Sequence, residues 1–580
     1  MTDKSEEYVI KLDGKAVVNK SLVGGKAWSI SEMQRLDIPV PPAFVITTEA
    51  CRHYLEFGSI PEGVDELISR SISWLEQETE RTFSGGTSPL LISVRSGAEV
   101  SMPGMMDTIL NLGMNQQVEE ALAIEQGDAT FAQDTHRRFL KLYSEIVLKQ
   151  SIDWSDEDDP AVLRKYIEEN GVTIPESGYD QLNGAVEAVF SSWNSRRAKR
   201  YRKANGIPDS LGTAVTIQAM VFGNVDEHSG TGVLFSRNPI TGEREPYGEY
   251  MACAQGEDVV AGSITPEPIA ILAKSNPQVY KSLLSSAEML EAKNKEVQDI
   301  EFTIERGKLF LLQTRNAKRA PLAALHFAVD FVKEGVLEKL DALSRISVEQ
   351  LRSLTAPVVA SSALRDAEIL LTGEGACPGV GQGILVASSS AAEDRNANGE
   401  DVVLGSAITS PEDIHGMIIS KALVTESGGS TSHAAVVGRS LGIPTVVKCG
   451  EGKVVELQDE EVTVDGSNGV VYRGLLPLHY PENESNYLTE LSSWLDELCP
   501  LDVFSLSDSI PNEVLDLDVV DGGNDAEMLP ALLQEATYAR GSILDSAAGI
   551  AAAVRSSIKG IVVPHPLSAR LAAIKVNLMK

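Results

Sequence analysis

In QDIEFTIERGKLFLLQTRNAKR, residues 298–319, polar and apolar side chains alternate with a period of two. Asp299, Glu301 and Thr303 interleave with Ile300, Phe302 and Ile304, the pattern of a strand with one wet and one dry face. Glu305-Arg306-Gly307-Lys308 reads as a hairpin turn, and the return strand sets Gln313 and Arg315 on one face. Two carboxylates at i and i+2 lie roughly 7 Å apart on the same side of a strand. That spacing suits Mg²⁺, which takes one or two hard oxygen ligands from protein and the rest from phosphate and water. The same alternation also fits an ordinary solvent-facing strand side.

Upstream, AVTIQAMVFG (214–223) and GTGVLFSRNP (230–239) read as strands. LLISVRSGAEVSMPGMMDTILNLG (90–113) is a strand that delivers Arg95 to a glycine-punctuated loop. LVGGKAWSISEMQRLDIPVPPAFVIT (22–47) reads as loop, helix, proline-bounded turn and strand. Lys26 follows two glycines and opens that helix, where backbone N–H groups and an ammonium make an anion site. Residues 115–205 carry mostly helical periodicity. Strands alternating with helices in this way predict an α/β fold.

Downstream, 320–370 is amphipathic and reads as a helical linker. A compact α/β stretch follows, from GACPGVGQGILV to VTVDGSNGVVYRG. It contains TESGGSTSHAAVVGRSLGIPTVV (425–447), in which two glycines and three hydroxyls lead to His433 at the start of a helix. A neutral imidazole is a good nucleophile near pH 7, and the helix N-terminus favours an anion carried on it. The pattern fits a phosphoryl carrier, and it fits equally a capped helix with a surface histidine. The tail is acidic to about residue 527, then Ala-rich and helical, with one strand-like piece, KGIVVPHP.

The 580 residues allow several domains, and 43% hydrophobic with 23% charged residues is a globular balance. The net charge of −33 argues against nucleic acid and anionic membranes as partners. The polar, acidic start is no signal peptide, and no apolar run of about 18 residues offers a membrane span. Five scattered cysteines without a C-x-x-C pair point to reduced thiols in a cytoplasm, with neither zinc nor a disulfide framework. No G-x-S-x-G elbow supports acyl transfer.

Taken together, VRSGAEVSMPGMMDTILNLG, QAMVFGNVDEHSGTGVLFSRNPITGE, GEYMACAQGEDVVAG, the 298–319 hairpin, SPEDIHGM and GGSTSHAAVVGRSLGIP resemble the pyruvate phosphate dikinase and phosphoenolpyruvate synthase family, in matching order from about residue 15 to 475. The resemblance implies an α/β multidomain protein: an ATP-grasp nucleotide domain at 1–335, a helical linker at 336–373, a swivelling phosphohistidine domain at 374–475, and a divergent, mostly helical tail at 476–580. It implies that Lys26, Arg95 and Arg315 bind and polarise ATP phosphates. Asp299, Glu301 and Gln313 would hold Mg²⁺ and nucleotide. Gly104, Met105, Asp107 and Thr108 would belong to a loop closing over the phosphates, with Gln255 also at the nucleotide. His433 would attack the β-phosphorus and release AMP.

The family continues into a pyruvate-binding barrel of about 250 residues, whereas only about 105 residues follow position 475 here, a length that allows no more than a remnant of one. The expected acceptor is therefore pyruvate held on a separate subunit, or a small alcohol or phenol; a homodimer is the other expected assembly. The chain departs from the family at Ser427 (usually Arg), Ser430 (usually Met), Gly438 (usually Ala) and Ser406 (usually Arg). Thr431 occupies the place of a threonine that is phosphorylated in plant dikinases. The alternative to an enzyme is an ATP-binding regulatory paralogue with an idle His433.

Overall fold

The computed structural model describes residues 8–15, 17–100, 102, 105–150, 159–256, 258, 266–354, 358–360, 362–441, 443–479, 486–505, 508–510, 513–523, 525–563 and 565–579. It is a multidomain α/β protein. The first sheet has five strands, β1 (Val9–Leu12), β2 (Ala43–Ile46), β3 (Ile92–Gly97), β4 (Thr108–Leu112) and β5 (Ala214–Ala219), in the order β1-β2-β5-β3-β4. Helix α1 (Lys20–Gln34) crosses it, with the Asn19 side chain capping Ser21 N–H. Helices α2 (Ala129–Ile146) and α3 (Arg196–Ala204) come from the 115–205 region read as helical.

The second sheet is built from β6 (Gly230–Phe235), β7 (Tyr247–Ala252), β8 (Glu267–Pro268), β9 (Gln298–Glu305) and β10 (Lys308–Asn316), in the order β8-β7-β6-β9-β10. β9 and β10 are the hairpin read from the sequence. Its turn residues Arg306 and Gly307 both take positive φ (49° and 75°), as a two-residue turn matched to strand twist requires. The dry face of β9, Ile300, Phe302 and Ile304, packs with Leu234, Leu309 and Leu311 and reaches α1 and β2 through Ile30, Ala43 and Val45. One core thus ties the two sheets together.

Helices α4 (Pro321–Lys333) and α5 (Val348–Leu354) follow, then a third sheet. Its strands are β11 (Ile369–Thr372), β12 (Glu374–Cys377), β13 (Val380–Val386), β14 (Val402–Ser406), β15 (Ala422–Thr425), β16 (Thr445–Val447), β17 (Glu461–Asp465) and β18 (Val470–Arg473), ordered β11-β18-β17-β13-β14-β15-β16-β12. β11 lies inside the stretch expected to be linker, yet pairs with β18 as part of this sheet. The chain enters and leaves through a two-stranded ribbon in which Val358 and Val359 pair with His479 and Leu478.

In the C-terminal stretch helical residues outnumber strand residues, as expected, but KGIVVPHP is not its one strand. It forms β22 (Gly560–Val562) in a parallel sheet with β19 (Asp502–Phe504), β20 (Val514–Asp516) and β21 (Tyr538–Arg540), ordered β19-β22-β21-β20. Each of these strands has three residues, too few for a period-two pattern to show. Helices α6 (Asn486–Leu498) and α7 (Pro566–Leu578) bury Leu491, Trp494, Leu495 and Leu571 against Phe327, Phe331 and Leu351 of α4 and α5. This stretch shares a core with α4, α5 and, through Val233 and Phe235, the second sheet. Among the described residues no helix is long and apolar enough to cross a membrane.

Candidate functional site

The polar face of the second sheet carries two transverse rows. In one, Tyr247, Phe235, Asp299 and Arg315 stand directly opposite one another; in the next, Glu249, Val233, Glu301 and Gln313 do so. Opposed residues of antiparallel strands point to the same side, so Asp299, Glu301, Gln313 and Arg315 converge. Asp299 is 2% exposed and its Oδ2 accepts from Arg315 Nε at 2.7 Å. That carboxylate, and Glu301 beside it, hold the Arg315 guanidinium firmly charged against its burial.

Lys26 on α1 and Arg95 on β3 of the first sheet reach the same place. α1 is not continuous: Gly24 breaks it with φ 76°, so Lys26 starts the segment after the break. A Cβ at Gly24 would lie 1.8 Å from the Gly97 carbonyl oxygen, and Gly25 N–H donates to Ala98 O at 2.9 Å. Only glycine permits that approach, which sets Lys26 beside the exit of β3, two residues past Arg95. At the other end, Ser29 Oγ accepts Thr314 N–H at 2.9 Å and ties α1 to β10 next to Arg315. Lys26 is pushed down to about 8, by desolvation first and then by Arg95 and Arg315, with Glu301 opposing. Three cations and two carboxylates therefore meet between the sheets.

Gly104 lies outside the described residues. Met105 is fully buried in a small core with Ala98, Met102, Trp193 and Ala198. Asp107 is held by Arg197 and, at 3.6 Å, by Lys149. Arg197 Nε also donates to Met105 O at 3.2 Å. Thr108 begins β4 opposite Arg95. Gln255 is 4% exposed, with its N–H on Asp258 Oδ2 at 2.9 Å, and Asp258 Oδ1 takes Arg138 Nη1 at 2.7 Å. Neither Arg138 nor Arg197 was legible as a site neighbour. Both sit in helical runs rich in arginine, and only the contact singles them out.

His433 opens α8 (His433–Leu441), with Ser432 O accepting Val436 N–H at 3.0 Å as the first helical bond. Among the described residues its Nε2 is buried and without a hydrogen-bond partner, as are Ser432 Oγ and Ser406 Oγ. Burial lowers the His433 pKa, with Asp413 opposing, so the ring is neutral at pH 7. The loop before it docks on the nucleotide half. Glu249 accepts from Ser430 N–H (3.1 Å), Ser430 Oγ–H (2.9 Å) and Thr431 Oγ1–H (2.7 Å). Tyr247 hydroxyl donates to Glu374 Oε1 at 3.3 Å. Glu249 stands two strands from Glu301 in the same row, about 10 Å away at normal strand spacing. The histidine loop is thus held on the sheet face that carries the carboxylates. Two departures gain a physical reason. Ser430 supplies a hydroxyl bond that methionine cannot, and at Gly438 a Cβ would lie 2.1 Å from Thr445 Oγ1.

Residues 20–83 and 58–289 match the model of the pyruvate phosphate dikinase AMP/ATP-binding domain, and residues 398–469 match the mobile domain of PEP-utilising enzymes. The chain is 40% identical over 547 residues to pyruvate, phosphate dikinase of Clostridium symbiosum, covering 88% of this chain and 62% of that protein. It is 41% identical over 527 residues to the Rhizobium meliloti (strain 1021) enzyme (82% and 58%), and 40% identical over 533 residues to pyruvate, phosphate dikinase 2 of Zea mays (86% and 60%). It spans about three-fifths of the length of these relatives. By these matches the chain belongs to the pyruvate, phosphate dikinase family, with that family's AMP/ATP-binding domain followed by the mobile domain of PEP-utilising enzymes.

Proposed function

We propose that this chain is a phosphotransferase of the dikinase type that uses Mg-ATP to phosphorylate His433 and then hands the group to an acceptor. The observation that carries the reading is the docking of the Ser430–Thr431 loop on Glu249, in the row that holds Glu301 and Gln313. Lys26, Arg95 and Arg315 take the triphosphate charge, as phosphoryl transfer catalysed by positioning and electrostatics requires. Asp299, Glu301 and the Gln313 amide oxygen fit a Mg²⁺ site, being hard oxygen donors on one face, two of them carboxylates. Mg²⁺ held there would supply positive charge against the triphosphate.

The neutral His433 Nε2 lone pair attacks the β-phosphorus. The bond from that phosphorus to the oxygen shared with the α-phosphate breaks, and AMP leaves with the electron pair. An oxygen of inorganic phosphate then attacks the γ-phosphorus; the bond to the β,γ-bridging oxygen breaks, pyrophosphate leaves and one phosphoryl group stays on His433. Splitting the transfer through a covalent histidine is nucleophilic catalysis. The group goes last to an acceptor oxygen, on pyruvate carried by another chain or on a small alcohol or phenol. The functional units follow the order nucleotide domain 1–335, linker 336–373, mobile domain 374–475 and C-terminal region 476–580, with the paired ribbon at 358–359 and 478–479 as the pivot.

The test uses [β-³²P]ATP and Mg²⁺, with and without phosphate, on the parent chain and His433→Ala. AMP release with acid-labile, base-stable label, both lost in the variant, is the expected result. ATP binding without label or AMP overturns the phosphotransferase and leaves the regulatory paralogue.

A further inference from the structure

Helix α3 has the sequence RRAKRYRKA: six cations in nine residues and no acid, in a chain whose net charge is −33. They do not serve one purpose. Arg202 is fully buried, donating to Trp193 O at 2.6 Å and to Asp209 at 2.7 Å, and Arg197 grips the loop at Met105 and Asp107. The other four, Arg196, Lys199, Arg200 and Lys203, are exposed and fall at i, i+3, i+4 and i+7, a single stripe along the outer face. Among the described residues none of the four is in an ion pair, whereas many other exposed arginines, such as Arg35, Arg52, Arg70 and Arg473, are. Like charges at these spacings disfavour the helix, so the stripe does not serve local stability.

Its position is specific. α3 packs through Ala198 under Met102 and Met105, the loop that leaves β3 two residues after Arg95. The stripe therefore lies on the exposed face of the helix that packs against the loop following Arg95, in a chain whose net charge is −33. We infer that the Arg196–Lys199–Arg200–Lys203 stripe is an electrostatic guide that captures the nucleotide polyphosphate and raises its rate of entry to the site. This rests on the nucleotide reading above. A one-signed surface at a cleft mouth raises the association rate of an oppositely charged ligand by about 10- to 1,000-fold, and salt abolishes the effect.

The test is stopped-flow binding of mant-ATP with Mg²⁺ and of uncharged mant-adenosine to full-length His433→Ala and to the same chain carrying R196Q/K199Q/R200Q/K203Q. At low ionic strength the substitutions should slow mant-ATP association about tenfold and leave dissociation unchanged, and the two chains should converge near ~0.5 M salt. Mant-adenosine should not distinguish them, and the thermal midpoint should not fall. An unchanged association rate at low salt, an equal loss for mant-adenosine, or a lowered midpoint with unchanged salt dependence each overturns the guide alone. No mant-ATP binding by either chain overturns the nucleotide reading itself.

Discussion

The Thr431 hydroxyl donates to the Glu249 carboxylate at 2.7 Å, joining the loop before His433 to the face of the second sheet. Glu249 is 9% exposed and takes two further bonds from Ser430. The contact fixes where His433 stands relative to the carboxylates, and it is made by side chains far apart in the chain.

Glu249→Ala leaves three donors without their acceptor, and a lost bond to a charged group is worth about 1.5–3 kcal/mol. Single-turnover AMP release should slow about 10- to 100-fold, with the nucleotide Kd unchanged. Thr431→Asp sets one carboxylate against another and should slow labelling at least as much. Labelling at the parent rate in Thr431→Asp would show that docking there does not limit the half-reaction.

Lys26 titrates at about 8 instead of 10.5. A lysine depressed in the folded state is a liability while charged: the cost is present in full below about pH 8 and fades as pH rises towards 10.5. Lys26→Met should therefore raise the apo melting temperature at pH 7 and remove that pH dependence. It should weaken ATP binding, and parent-chain ATP affinity should fall as pH passes about 8. Calorimetric titration from pH 7 to 9.5 checks both.

Burial lowers the His433 pKa below the ordinary histidine value of 6.5. The label-forming half-reaction should hold its rate as pH falls to about 6.5 and decline only below it. A decline already centred above pH 7 would assign the titration to another group.

Gly438→Ala drives a methyl group to 2.1 Å from Thr445 Oγ1. Overpacking of this kind costs about 1–3 kcal/mol. Thr445→Ala in the same chain should recover most of the loss, as two changes in contact are not additive. Thermal melts of the two single variants and the double variant complete the cycle.

Trp494 is 2% exposed in a core shared by α4, α5, α6 and α7. Trp494→Ala should cost about 3–5 kcal/mol and lower the unfolding midpoint of the nucleotide half along with that of the C-terminal stretch. Separate transitions, with only the second one lowered, would show that the two melt independently.

The sequence alone determined a large part of this protein. The period-two run at 299–304 set the strand, its turn and the face shared by Asp299, Glu301, Gln313 and Arg315, because strand geometry converts spacing into direction. Lys26, Arg95 and His433 were legible at segment ends, where glycine and helix termini leave backbone donors open. The tertiary structure decided what spacing cannot encode. It turned Met105 into a core and gave Asp107 to Arg197, since a loop's side chains point where packing sends them. It assembled four three-residue strands at the C-terminus whose stability comes from neighbours. It brought Glu249 to Ser430, 181 residues away, because a hydrogen bond depends on distance in space and not along the chain.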